Sequence, residues 1–219
     1  MASLGLTWEF ILVTTVSVFT IVNPLGAAPL FFSFTSSFPR PQALCVARRA
    51  SIACAIVLSL FALLGERLFR LIGVSIPAVR IAGACLVFLN ALDMLRGANV
   101  RTRVLPEEQK EAAAKEDVSI IPLAIPLLAG PGAITTVIIL MIRSQNWVQC
   151  LVVLLAIVIV SILTFIILSS STVLLKAIGP SGVRVMNRLM GLLLAAISIQ
   201  FMINGIKDLI PDFIKLIHS

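Results

Sequence analysis

Apolar positions in this 219-residue chain are gathered into long runs, and the polar positions into short intervals between them. The runs predict six spans, at about Trp8 to Phe34, Ala50 to Leu64, Ile76 to Leu95, Val118 to Ile142, Val148 to Leu168 and Leu189 to Ile206. Their lengths lie around the roughly 20 residues that a helix needs to cross a bilayer. Two runs are interrupted from within. The fourth contains Ile125-Pro126-Leu127-Leu128-Ala129-Gly130-Pro131-Gly132-Ala133-Ile134-Thr135-Thr136, and the first contains Asn23-Pro24-Leu25-Gly26-Ala27-Ala28-Pro29. Proline removes a backbone donor and glycine tolerates conformations other residues avoid, so each helix is expected to break and restart there. Hydrocarbon cannot satisfy the backbone groups that a break frees. Such a break is stable only where protein or a polar cavity surrounds it.

Composition narrows the class to an all-α, polytopic membrane protein. The chain is 59% hydrophobic and 12% charged, with a mean hydropathy of +1.11. Its longest hydrophilic stretch, Arg96 to Asp117, is too short to form a domain with its own core. Within it, Pro106 to Asp117 has good helix formers behind a proline and reads as a solvated helical connector. The apolar run from Met1 to Phe34 has no basic leader and continues past signal-peptide length, so it is expected to remain as the first span. Cys45, Cys54, Cys85 and Cys150 lie in or beside apolar runs with no metal-ligand spacing and read as packing residues.

The net charge of +7 sits in the short intervals, where Lys and Arg set orientation in the membrane, so nucleic acid is not an expected partner. With the N-terminus outside, the inner intervals hold Arg40, Arg48, Arg49, Arg96, Arg101, Arg103, Lys110, Lys115, Lys176, Arg184 and Arg188. The outer ones hold Arg67, Arg70, Arg80, Arg143, Lys207 and Lys215. Eleven basic residues against six predict that both termini are periplasmic and that the connector is cytoplasmic.

The two interruptions belong to an internal repeat. Pro24, Leu25, Ala27 and Pro29 match Pro126, Leu127, Ala129 and Pro131 at an offset of 102; Ile72, Gly73 and Ser75 match Ile178, Gly179 and Ser181 at 106; Arg80, Gly83, Leu86 and Met94 match Arg188, Gly191, Leu194 and Met202 at 108. Residues 1–100 thus form a first three-span repeat, 101–117 a connector and 118–219 a second three-span repeat. Three spans per repeat invert the second half relative to the first. Inverted repeats with a broken helix in corresponding positions point to a secondary transporter with a site near the midplane.

The candidate substrate-binding residues are therefore Asn23, Pro24, Leu25, Gly26, Ala129, Gly130, Gly132, Ala133 and Thr135. Helix N-termini at the breaks offer amides and a positive dipole end to a carboxylate, while freed carbonyls, with Asn23, suit an ammonium group. No fixed countercharge lies at mid-span, which favours small neutral amino acids over charged ones. Asn90, Gln200 and Asn204 read as interhelical hydrogen-bonding residues. Asp93 lies near the inner end of span 3. No catalytic constellation or metal site is evident, so an enzyme is not expected, nor any cofactor beyond a coupling ion, sodium or proton.

At these motifs the sequence resembles the MarC family of bacterial membrane proteins, which includes small neutral amino acid transporters of the SnatA type. The resemblance rests on Asn23-Pro24-Leu25-Gly26 with Pro29, on Pro122 to Pro126 leading into Ala129-Gly130-Pro131-Gly132-Ala133-Ile134, and on Arg188 to Gly191 with Gln200 to Gly205. It implies six spans in the inner membrane and movement of small neutral amino acids such as glycine and alanine; the limited space that Ala, Gly and Leu leave around the breaks favours glycine, alanine or serine. A membrane-embedded assembly protein and an exporter of another small solute are the rival classes. The expected partners are the lipid bilayer and the small neutral amino acid, and a homo-oligomer is compatible with this class.

Overall fold

A computed structural model describes residues 2–96 and 128–217. In chain order its helices are α1 (Ala2–Val22), α2 (Pro24–Thr35), α3 (Arg40–Leu71), α4 (Ile76–Arg96), α5 (Pro131–Arg143), α6 (Trp147–Ser169) and α7 (Ser171–Ile217). Among the described residues, five segments are long and apolar enough to cross a membrane: Trp8–Thr35, Arg40–Leu71, Ile76–Arg96, Trp147–Ser169 and Ser181–Ile210. With 13 residues, α5 spans only about 20 Å at 1.5 Å per residue. The fourth expected span, Val118 to Ile142, is described only from Leu128 onward. The connector at 101–117 and the helix expected over Pro106 to Asp117 lie outside the described residues.

The exposed faces identify the solvent. Ile52, Ile56, Leu60 and Leu63 on α3, and Leu151, Leu155, Ile162 and Ile166 on α6, are all exposed. A continuous apolar exterior of this kind faces lipid. The opposite stripe of α3 carries Ala47, Ala50, Ser51, Cys54, Leu58, Ala62 and Gly65, and that of α6 carries Val153, Ala156, Ile157, Val160, Thr164 and Leu168. Both repeat at helical spacing and pack, with α1, α2 and α5, into the main core. A smaller cluster of Val87, Ala91, Met94 and Leu194 joins α4 to α7, with Ile21 of α1 against it.

Two helix boundaries differ from expectation. Arg40, Arg48 and Arg49 belong to a polar interval ahead of the span expected at Ala50, but α3 starts at Arg40, with Pro39 before its first residue and Pro41 in its first turn. Proline is favoured in a first turn, where its missing N–H has no helical acceptor, so the same residue type that ends a helix also starts one. Likewise Lys176, Arg184 and Arg188 lie on α7, which is divided at Gly179, and not in a loop.

Gly73 (φ 76°) and Gly179 (φ 69°) are the glycines in the left-handed region among the described residues. At Gly73 the turn is closed by Val74 N–H donating to the Phe69 carbonyl at 2.9 Å and Gly73 N–H donating to Arg70 at 3.1 Å. This is the pattern of a helix terminated by a left-handed residue, and it lets α3 reverse into α4 within four residues. Helices α4 and α7 run antiparallel, as Ile81 and Pro77 lie against Gly205 while Ala91, Met94 and Leu95 lie against Gly191. At Gly191 a Cβ would stand 2.9 Å from Met94 Cβ and 3.0 Å from the Ala91 carbonyl oxygen, so the missing side chain is what lets the backbones approach.

Candidate functional site

At the first interruption the break is a single residue. Asn23 adopts φ 50°, ψ 57°, a left-handed conformation that asparagine visits more readily than other non-glycine residues. Its own N–H still donates to the Phe19 carbonyl at 2.9 Å, and its carbonyl accepts from Ala27 N–H at 3.1 Å. Pro24 follows as the first residue of α2 and brings no N–H. The Asn23 Oδ1 accepts from Gly26 N–H at 3.1 Å, which caps α2 and fixes the carboxamide so that Nδ2 points the other way. Nδ2 donates to Met94 Sδ on α4 at 3.6 Å.

The second interruption is built differently. Gly130 precedes α5 in extended backbone, φ −71°, ψ 171°, and no side chain caps the helix among the described residues. This conformation is open to any residue, so the freedom expected of Gly130 is not used for a left-handed turn. Ile134 N–H returns to the Gly130 carbonyl at 3.0 Å, while Pro131 has no N–H to offer. The amides of Gly132 and Ala133, both buried, thus open the helix at its positive dipole end. Thr135 and Thr136 do not turn toward this opening, because their hydroxyls donate to the Pro131 and Gly132 carbonyls, each at 2.8 Å.

Helix α4 brings the two breaks together. A Cβ on Gly132 would run into Val87 Cγ2 of α4 and would lie 3.6 Å from Ile21 Cγ2, two residues before the first break. One turn away along α4, Gly83 faces Thr135, whose Oγ1 lies 2.5 Å from where a Gly83 Cβ would stand. Toward the other end, Met94 Cε lies 2.9 Å from the corresponding point on Gly26. Positions 83, 87, 90 and 94 form one stripe at 3.6 residues per turn, so Asn90 shares this face at a level between the two breaks. Of the sequence-derived candidates, Asn23, Gly26, Gly132 and Thr135 meet this stripe. Pro24, Ala129 and Ala133 are buried beside the breaks, and Leu25 and Gly130 are half-buried. The expected interhelical role of Gln200 and Asn204 is replaced by a bond within α7, Gln200 Nε2 donating to Asn204 Oδ1 at 3.1 Å.

Sequence reasoning missed two partners. Met94 registered only as a repeat match, yet it touches Asn23, Gly26 and Gly191. Arg80 was placed among the outer basic residues, yet its side chain is 5% exposed and its Nη1 donates to Asp208 Oδ2, tying the start of α4 to the far part of α7. Arg143, at the end of α5, is near enough to repel Arg80. Opposite charges on the same expected side of the membrane were the available signal. Among the described residues no group of three His, Cys, Asp or Glu side chains gathers as a metal site would need.

The model of the MarC family, described as MarC family integral membrane protein, matches residues 8–210. Similar full-length chains include UPF0056 membrane protein YvbG of Bacillus subtilis, 32% identical over 205 residues that cover 93% of this chain and 97% of the relative. Another is UPF0056 membrane protein YhcE of Escherichia coli, 32% identical over 200 residues covering 91% and 93%. A UPF0056 membrane protein of Aquifex aeolicus is 33% identical over 194 residues covering 89% and 91%. No solved structure matches the chain.

Proposed function

The chain belongs to the MarC family of integral membrane proteins, and we propose that it is a secondary transporter of small neutral amino acids, of the glycine, alanine and serine class, in the bacterial inner membrane. The observation that carries this reading is the approach of Ile21 to Gly132, with Ile21 Cγ2 3.6 Å from where a Gly132 Cβ would stand, which sets the carbonyl end of α1 near the amide end of α5. A helix ends in unpaired carbonyls with partial negative charge and begins with unpaired amides of partial positive charge. Pro24, lacking an N–H, leaves the Thr20 carbonyl without its helical donor. A zwitterion placed between these ends has its ammonium group served by α1 and its carboxylate by Gly132 and Ala133 of α5. Neither end carries a formal charge, which suits a substrate whose side chain carries none. The crowding of Val87, Ile21 and Met94 around the breaks favours a small side chain.

The two-repeat reading supports the same conclusion. Gly73 and Gly179 match at the offset of 106 and both adopt positive φ, each just before the last span of its half. Those last spans, on α4 and α7, lie antiparallel, as a repeat inverted in the membrane requires. Arg80, Arg143 and Asp208 collect at one end of the molecule, which agrees with an orientation that puts all three, and both termini, on the periplasmic side. Alternating access then proceeds by movement of one repeat against the other about the breaks, with sodium or proton coupling carried by the same carbonyl-rich end. Purified protein in liposomes, given labelled glycine and alanine under an imposed sodium or proton gradient, is expected to accumulate both. Accumulation of neither under any gradient overturns the proposal.

A further inference from the structure

We infer that Met94 sets the size limit of the substrate, occupying through its thioether arm the place beside Asn23 and Gly26 that a larger amino acid side chain would need. The inference rests on the reading of the breaks as the transport site. Three contacts fix the arm. Behind it, Gly191 presses the α7 backbone against Met94, its missing Cβ standing 2.9 Å from Met94 Cβ, 3.0 Å from the Ala91 carbonyl and 3.1 Å from Leu95 N. The side chain cannot turn into that contact. In front, Cε reaches the surface of Gly26 at 2.9 Å from the place of its absent Cβ, so a side chain at position 26 would exclude it. To the side, Sδ accepts from Asn23 Nδ2 at 3.6 Å.

That last bond is the informative one. Asn23 Oδ1 is held by the Gly26 amide, which orients the carboxamide and leaves its donor side toward α4. A donor in a membrane interior needs an acceptor, and a thioether is a weak one. A stronger acceptor on the substrate side chain, the hydroxyl oxygen of serine, therefore replaces it readily on Asn23. An unbranched methionine has three rotatable bonds, so these contacts are what hold its arm in place, whereas the β-branched Val87 at the second break is stiff of itself. Held by them, the arm keeps the place beside Asn23 and Gly26 filled, and its bulk is the size limit.

The test is uptake of labelled glycine, alanine and leucine into liposomes by the full-length protein and by Met94→Ala, Met94→Cys and Met94→Leu. Shortening the residue to Ala is expected to raise the leucine-to-alanine uptake ratio at least about tenfold, as expected when several methylenes of space are added to an apolar pocket. Cys, a smaller change that serves also if the Ala variant assembles poorly, moves the ratio in the same direction. Leu keeps the volume and leaves the ratio unchanged. A packing role alone would lower uptake of all three substrates together without moving any ratio. If the unaltered protein transports glycine and alanine while the Ala and Cys variants keep its ratio, this inference fails and the transport reading stands. If the unaltered protein moves none of the three, the transport reading fails and takes this inference with it.

Discussion

The break at Asn23 and the break at Gly130 both interrupt an apolar run with proline and glycine, yet they handle their backbone groups in opposite ways. At the first, one left-handed residue turns the chain while its N–H stays in the ladder of α1, its carbonyl starts α2 and its side chain caps Gly26. At the second, an extended glycine leads into α5 with no side-chain cap among the described residues. An amide in hydrocarbon without an acceptor costs several kcal/mol, so a helix start with no side-chain cap among the described residues suits the polar occupant that the proposed transport brings to it. The difference assigns the two breaks different tasks. In the proposed transporter the first is a closed hinge that aims the carbonyl end of α1, and the second is an open receptor.

The largest effect is therefore expected from crowding the receptor. Gly132 is pressed by Val87 and Ile21, and a Cβ alone already requires Val87 to shift. Gly132→Leu should cost about 1–3 kcal/mol of stability through overpacking and, by displacing the helix start, reduce glycine uptake by about a hundredfold or more. Uptake normalised to the amount of folded protein in the membrane measures it. Wild-type uptake from a correctly inserted variant would remove Gly132 from the site.

A smaller effect is expected at the hinge, where what matters is conformation. Asn23→Ala loses the cap and forces alanine into a left-handed backbone, for a combined cost of about 2–3 kcal/mol. Asn23→Gly keeps the backbone at ease and loses only the side-chain bonds, so about half of that cost or less should remain. Thermal unfolding in detergent separates the two. Equal losses from both substitutions would mean that the left-handed turn contributes nothing and that the hinge is held by the carboxamide alone.

This contrast was only half legible in the sequence. That two apolar runs break, and where, followed from Pro24, Pro131 and their neighbours, because proline's missing donor acts locally. The starts of α4 at Ile76 and α6 at Trp147 were legible for the same reason, as apolar runs resuming after polar turns. What each glycine does was not. Gly130, Gly132 and Gly26 are indistinguishable as letters, but one sits in extended backbone any residue adopts, one admits Val87, and one admits Met94 and the Asn23 carboxamide. These roles depend on α4, whose contacts join residues 71 positions apart for Asn23 and Met94 and 128 apart for Arg80 and Asp208. No local pattern encodes such pairs. The charged pair was the most hidden, since Arg80 alone reads as one more basic residue at a span end.

The smallest expected effect on stability is also the sharpest test of the comparison, and it comes from giving the open break the cap that the closed one has. Gly130 already holds the extended backbone of a helix N-cap, so serine enters there without a conformational penalty. Its hydroxyl oxygen would accept from the amide of Gly132 or Ala133. Serine outranks glycine as an N-cap by only a few tenths of a kcal/mol, so Gly130→Ser should leave the protein as stable as before or slightly more so. If those amides serve only the fold, the exchange is harmless and uptake is preserved. If they receive the substrate carboxylate, the new hydroxyl competes for them, and the concentration of alanine needed for half-maximal uptake should rise by about tenfold, the equivalent of one hydrogen bond to a charged group. A gain in thermal stability together with a loss of apparent affinity is the signature of a helix start held open for a ligand. A gain in stability with unchanged affinity would make the break at Gly130 a packing kink and reduce the two interruptions to the same kind.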